Sequence, residues 1–123
     1  LARFLDIENV ERDAILGLLR AEARGDAPAM LATLHRCPAA CQAIVRSDAA
    51  TLRGPGAVTI LADQSPTAYS LTSNTGKTRI AWKLPARLPT VQCVLVRRSG
   101  NVFTGLSLEL LAVGAPIPLQ SDC

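Results

Sequence analysis

Apolar residues near the start of the chain recur at three- and four-residue spacing: Ile7, Val10, Ala14, Ile15, Leu18 and Leu19. That spacing lines one face of a helix, and Glu8, Glu11, Arg12, Asp13 and Arg20 fill the remainder. Asp6 or Asn9 is placed to cap its start, and Gly25 can supply the left-handed residue that ends it. Asp26 then caps a second helix, with Pro28 in a first turn that needs no N–H from it. Met30, Leu31 and Leu34 form its apolar stripe. Pro38 opens a third helix carrying Cys41, Ile44, Val45, Ala49 and Leu52, and Gly54-Pro55-Gly56 ends it.

After Gly56 the period changes to two. Val58, Ile60 and Ala62 alternate with Thr59 and Leu61 until Ser65-Pro66 breaks the run. Residues 67–73 and 77–84 flank Asn74-Thr75-Gly76, which predicts a hairpin. In that hairpin Tyr69 and Leu71 share a face with Ile80 and Trp82, opposite Lys77, Arg79 and Lys83. A second hairpin is predicted to turn at Ser99-Gly100-Asn101, setting Val91, Cys93 and Leu95 against Leu106, Leu108 and Leu110 on its apolar face. Gln92, Arg98, Ser107 and Glu109 would lie on its wetter side, and Val94, Val96 and Phe103 on the face away from the helices. The expected fold is α+β: a single domain over residues 1–123 in which N-terminal helices pack on one face of a curved antiparallel sheet.

Composition narrows the class. A hydrophobic content of 49% with 19% charged residues excludes a disordered chain. No apolar run reaches the roughly 18 residues that span a bilayer, so a soluble domain is expected. The start at Leu1-Ala2-Arg3 looks trimmed, as if a signal peptide or N-terminal membrane tether had preceded it. Between Gln64 and Leu108 there is no acid, while Lys77, Arg79, Lys83, Arg87, Arg97 and Arg98 all fall there. That run reads either as a patch for an anionic partner or as the solvated face of a sheet. With only four aromatics in the chain, it makes a poor platform for nucleic acid.

Four cysteines in a domain of this size point to an oxidising, extracytoplasmic compartment, either secreted or held at the cell envelope. Of the three connectivities, Cys37–Cys41 with Cys93–Cys123 is the first choice. Cys37 lies just outside the third helix and Cys41 one turn in, while Cys93–Cys123 would tie down a proline-bearing tail. The competing pattern joins Cys93 to Cys37 or Cys41, because Cys93 is expected on the helix-covered face.

Catalytic signatures are sparse. His35, the only histidine, is read as complementing a helix end rather than as a general base. With Cys37 and Cys41 it lacks the ligand count of a closed zinc site, so no metal is expected. Cys37-Pro38-Ala39-Ala40-Cys41 spaces its thiols by three residues, not the two of thioredoxin motifs, which favours a structural bridge. No Gly-x-Ser-x-Gly is present, and Gly54-Pro55-Gly56 lacks the lysine and following helix of a phosphate loop. Trp82 and Tyr69 read as core residues or as the floor of an apolar ligand pocket.

The long first helix, the Arg24-Gly25-Asp26-Ala27 turn leading to Met30-Leu31, and the meander resemble the nuclear transport factor 2-like (cystatin-like) superfamily. The Cys-Pro start of helix three, the Thr90-Val91-Gln92-Cys93 strand and Cys123 resemble exported domains of high-GC bacteria. That resemblance implies a cone between helices and sheet, with Tyr69, Trp82, Asp63 and His35 as pocket candidates. It also implies pairing of two copies through the exposed sheet face. Members include isomerases, dehydratases and accessory domains. An isomerase of this kind needs a base and two oxyanion donors, and the chain offers one tyrosine and no second placed acid. The expected function is a non-catalytic domain, without cofactor, that binds a small apolar ligand or a protein partner. The alternative is an isomerase or dehydratase working in the concave pocket.

Overall fold

The computed structural model describes residues 2–65, 73–101 and 105–123. Three helices, α1 (Ala2–Ala23), α2 (Ala27–Thr33) and α3 (Ala39–Thr51), precede four strands. These are β1 (Thr59–Gln64), β2 (Ser73–Lys83), β3 (Thr90–Asn101) and β4 (Gly105–Val113), paired antiparallel in sequence order. The chain is an α+β protein, with its helices packed on one face of a curved sheet.

The helix boundaries follow local chemistry. α1 begins ahead of both Asp6 and Asn9, so neither caps it. It ends in a left-handed glycine, Gly25 at φ 71°. There Gly25 N–H donates to Glu22 and Asp26 N–H to Ala21, a pairing that closes the last turn. Asp26 Oδ1 accepts from Ala29 N–H at 3.1 Å and caps α2. Pro38 occupies the N-cap of α3.

The buried stripe of α1 differs from the predicted one. Val10 is 50% exposed, whereas Glu11 and Glu22 lie inside with Ile15, Leu18 and Leu19. Glu11, Ile15, Leu18 and Glu22 follow one helical face at i, i+4, i+7 and i+11. The facing strand matches it. On β3 the helix-covered residues are Gln92, Val94, Val96 and Arg98, polar at both ends and apolar between. Eleven helical residues rise about 16 Å and six strand residues about 20 Å, so Glu22 meets Gln92 at one end and Glu11 meets Arg98 at the other.

This register overturns the predicted faces of the second hairpin. Asn101 pairs with Gly105 and Val96 with Leu110, so β3 runs through Ser99-Gly100-Asn101 without turning there. A pairing displaced by an odd number of residues carries every β3 side chain to the other face. Val94 and Val96 are therefore fully buried, and Cys93 and Leu95 face away from the helices. Likewise, β2 passes straight through Asn74-Thr75-Gly76 and pairs with β1 on its other side. The predicted faces of β2 hold: Ile80 and Trp82 are buried opposite Lys77, Arg79 and Lys83. The predicted strand over 67–73, with Tyr69 and Leu71, lies almost wholly outside the described residues, as does Phe103. Register shifts at Ile60/Ala62 and Leu95/Val96 bend the sheet over the helices.

Both cysteine pairs are bridged, Cys37–Cys41 with Cα atoms 5.1 Å apart and Cys93–Cys123 with Cα atoms 5.8 Å apart. Because Cys93 faces away from the helices, it reaches the tail and not α3. The tail first continues beside β3, where Ile117 N–H donates to Val91 at 2.8 Å. It then crosses the outer face, where the Arg79 guanidinium donates to the carbonyls of Ser121 and Leu119. The bridges fit an oxidising, extracellular setting. Among the described residues no helix is long and apolar enough to cross a membrane.

Candidate functional site

Of the predicted pocket residues, the three that are described lie in different settings: Trp82 in the core, His35 at an exposed connection and Asp63 at an edge of the helix–sheet interface. Trp82 is 2% exposed and belongs to the main core. Its indole N–H donates to Gln92 Oε1 at 2.8 Å, so it packs as core rather than as a pocket floor. His35 lies just past α2, exposed, with Nδ1 at 3.3 Å from Glu109. Its backbone N–H donates to Leu110, pinning the α2–α3 connection to β4. The pairing of Leu34 with Leu110, more than the dipole of α2, sets its position. Tyr69 is outside the described residues.

Asp63 sits at one polar end of the helix–sheet interface. Arg98 donates to Glu11 Oε1, and Ser65 and Thr78 hydroxyls donate to Glu11 Oε2, the latter at 3.0 Å. Ser65 also approaches Asp63 at 3.3 Å. Burial, reinforced by the Glu11 charge, raises the Asp63 pKa above the ordinary carboxylate range. Arg98 Nη1 is buried without a hydrogen-bond partner among the described residues.

The opposite end holds two acids, neither of which forms an ion pair among the described residues. Trp82 N–H can only donate, so it fixes the Gln92 carbonyl toward itself and turns the amide NH₂ the other way. That NH₂ faces Glu22 Oε2 at 3.1 Å, Asp48 Oδ2 at 3.2 Å and the Gly114 carbonyl at 3.1 Å. Burial pushes the Glu22 pKa up to about 8, and the Asp48 charge adds to it. Burial pushes Asp48 up to about 7. Sequence reading placed neither acid here, because a glutamate on an amphipathic helix normally marks its solvent face.

Among the described residues an accessible concavity lies elsewhere, at the C-terminal end of α1. Two adjoining hollows share Ala23, Arg24 and Gly54. One, of about 360 Å³, adds Arg20, Gly56, Ala57 and Val58, while the other, of about 560 Å³, adds Arg53, Pro55 and Arg87. Its walls are locked by close backbone approach. Gly54 N–H donates to the Ala23 carbonyl at 2.9 Å. A Cβ on Gly54 would fall 2.9 Å from Leu84 Cδ1 and 3.1 Å from the Arg87 guanidinium. Gly56, at φ 97°, faces the Pro85 ring, which a Cβ would meet at 2.6 Å. The groove therefore gathers four arginines from α1, the α3–β1 loop and the β2–β3 turn, with no carboxylate among its lining residues. Arg24 approaches Asp26 at 3.9 Å, while Arg20, Arg53 and Arg87 have no side-chain partner among the described residues.

In the acid-free run between Gln64 and Leu108, read either as an anionic-partner patch or as a solvated sheet face, Lys77 and Lys83 lie on the outer face of β2 while three of the arginines are engaged within the fold. Arg98 is buried on Glu11, Arg97 pairs with Glu109, and Arg79 holds the tail. Only Arg87 from that run reaches the groove. Among the described residues no three His, Cys, Asp or Glu side chains gather as a metal site. No protein-family model, curated protein or solved structure matches this chain.

Proposed function

We propose that the chain is an exported, non-catalytic binding or interaction domain of nuclear transport factor 2-like type, working in the extracytoplasmic space. The carrying observation is the packing between helices and sheet. Where a catalytic cone would need an open interior, the middle of this one is filled by Trp82, Met30, Ile80 and Val94. Its buried acids Glu11 and Glu22 are engaged by Arg98 and Gln92, with only Glu22 Oε1 and Arg98 Nη1 left without a partner among the described residues. A small apolar ligand has no floor at Trp82, and the Val94 and Val96 surface expected to carry a homodimer is inside the core. Binding at an outer surface remains.

A second reading, isomerase or dehydratase chemistry, draws on one observation: Asp63, with its raised pKa, stands beside Ser65 at the edge of the interface. The two readings separate in a turnover assay on steroid-like and acyl substrates, with native protein beside Asp63→Asn and Tyr69→Phe. The binding reading expects no turnover in any sample. Turnover that either substitution abolishes would establish the enzyme instead.

A further inference from the structure

We infer that the arginine groove at the end of α1 is a binding site for a multiply charged, phosphate-bearing anion. This inference rests on the binding-domain reading and assigns that reading a site and a ligand class. Arg20, Arg24, Arg53 and Arg87 come from three separate stretches of chain. With Asp26 beside Arg24 as the one acid paired to them, four arginines around one groove create a positive potential that a bound anion would relieve. The net charge of only +3 does not demand such crowding, since acids nearly balance bases across the chain. Part of the arrangement serves the fold, because Arg20 and Arg24 complement the carbonyl end of α1. Arg53, next after the Leu52 cap of α3, stands likewise at a carbonyl end and packs its stem on Gly25, whereas Arg87 has no helix end to serve. The Arg87 guanidinium lies against Gly54, where the missing side chain leaves room for it.

Guanidinium forks match phosphate oxygens in pairs, and a phosphate group carries up to two charges and three strong acceptors. Four arginines thus suit a diphosphate or two neighbouring phosphates better than a single carboxylate. Ala23, Ala57 and Val58 line the smaller hollow and leave an uncharged flank for an organic portion of the ligand. The same phosphate chemistry is offered by a free metabolite and by a lipid headgroup.

The test is calorimetric titration at low salt with inorganic pyrophosphate, together with flotation on phosphatidic acid vesicles and on phosphatidylcholine vesicles. Native protein is compared with Arg53→Gln, with Arg53→Gln/Arg87→Gln and, as a surface-charge control away from the groove, with Arg36→Gln/Arg46→Gln. Arg53→Gln alone alters an exposed side chain and retains the Arg87 packing, and unchanged thermal melting verifies each fold. Binding should weaken about tenfold per lost groove guanidinium and stay nearly unchanged in the control. Groove-dependent binding of pyrophosphate assigns a soluble source, and groove-dependent binding of phosphatidic acid vesicles alone assigns a lipid. No binding, or equal losses in groove and control variants, overturns the proposal. Binding of a polyglutamate peptide without pyrophosphate or phosphatidic acid also overturns it, yet leaves the binding-domain reading standing. Enzymatic turnover would sink that broader reading on its own.

Discussion

The two ends of the helix–sheet interface solve the burial of polar groups in opposite ways. At one end Glu11 meets Arg98, and the Ser65 and Thr78 hydroxyls complete the carboxylate's hydrogen bonding. At the other, Glu22 and Asp48 share a single amide and form no ion pair among the described residues. The first end keeps a charge inside by pairing it. At the second, burial raises Glu22 to about 8 and Asp48 to about 7, which favours the neutral acids where no ion pair forms. Between them lies an apolar middle of Ile15, Leu18, Val94 and Val96. Buried acids on one helix face thus carry different physical states, decided by which strand residue each one meets.

The largest effect that separates the ends should come from Glu11→Ala. Arg98 is then buried without a counter-charge, and denaturant unfolding should show a loss of about 3–5 kcal/mol. A Glu11→Leu/Arg98→Met double variant should recover most of it, because neither charge remains. If the single variant lost under about 1 kcal/mol, the ion pair would not be what holds that end.

Next in size is the response to pH. An acid whose folded pKa exceeds its unfolded value binds its proton more tightly in the fold, so stability falls as pH rises between the two values. For Glu22 that window runs from 4.5 to about 8, and for Asp48 from 3.8 to about 7. Asp63, also raised, contributes with the same sign. Stability at pH 9 should therefore lie below that at pH 5 by on the order of 3 kcal/mol. Glu22→Gln should flatten roughly half of that slope, Asp48 keeping much of the rest, whereas Glu11→Gln should remove only the smaller share that the Glu11 charge lends to Asp63. A native protein equally stable at both pH values would remove the distinction between the ends.

The smallest effect is expected from Ser65→Ala, about 1 kcal/mol by thermal or denaturant unfolding. Glu11 Oε2 retains Thr78 as a donor when Ser65 is lost. Gln92→Leu sharpens the contrast, since it strips Trp82, Glu22 and Asp48 of their shared partner at once. It should cost more than Ser65→Ala, roughly 2–3 kcal/mol.

Elements and their order were legible along the chain because they depend on local signals. Gly25 ends α1, Asp26 caps α2, Pro38 opens α3, and period-two alternation marks β1. The cysteine pairing was only the first choice along the chain, on one-turn spacing at Cys37–Cys41 and a tail needing an anchor, and the fold decided it against a link from Cys93 to Cys37 or Cys41. Faces were less legible. Gly100-Asn101 carries turn residues, yet β3 continues through it, and that odd displacement reversed the expected face of Cys93, Val94 and Val96.

By itself, then, the sequence determined the α+β class, the end of α1, the starts of α2 and α3 and an oxidised cysteine framework, because caps, glycine conformations and spacing act over a few residues. Tertiary structure alone decided which polar residues are buried and where the surface arginines gather. Glu11 and Glu22 look like solvent-facing residues until Arg98 and Gln92 are set opposite them by strand register. Arg20, Arg24, Arg53 and Arg87 look scattered until Gly54 and Gly56 let three chain segments meet. Neither meeting leaves a trace in local sequence, because each depends on chain segments tens of residues apart packing at van der Waals distance.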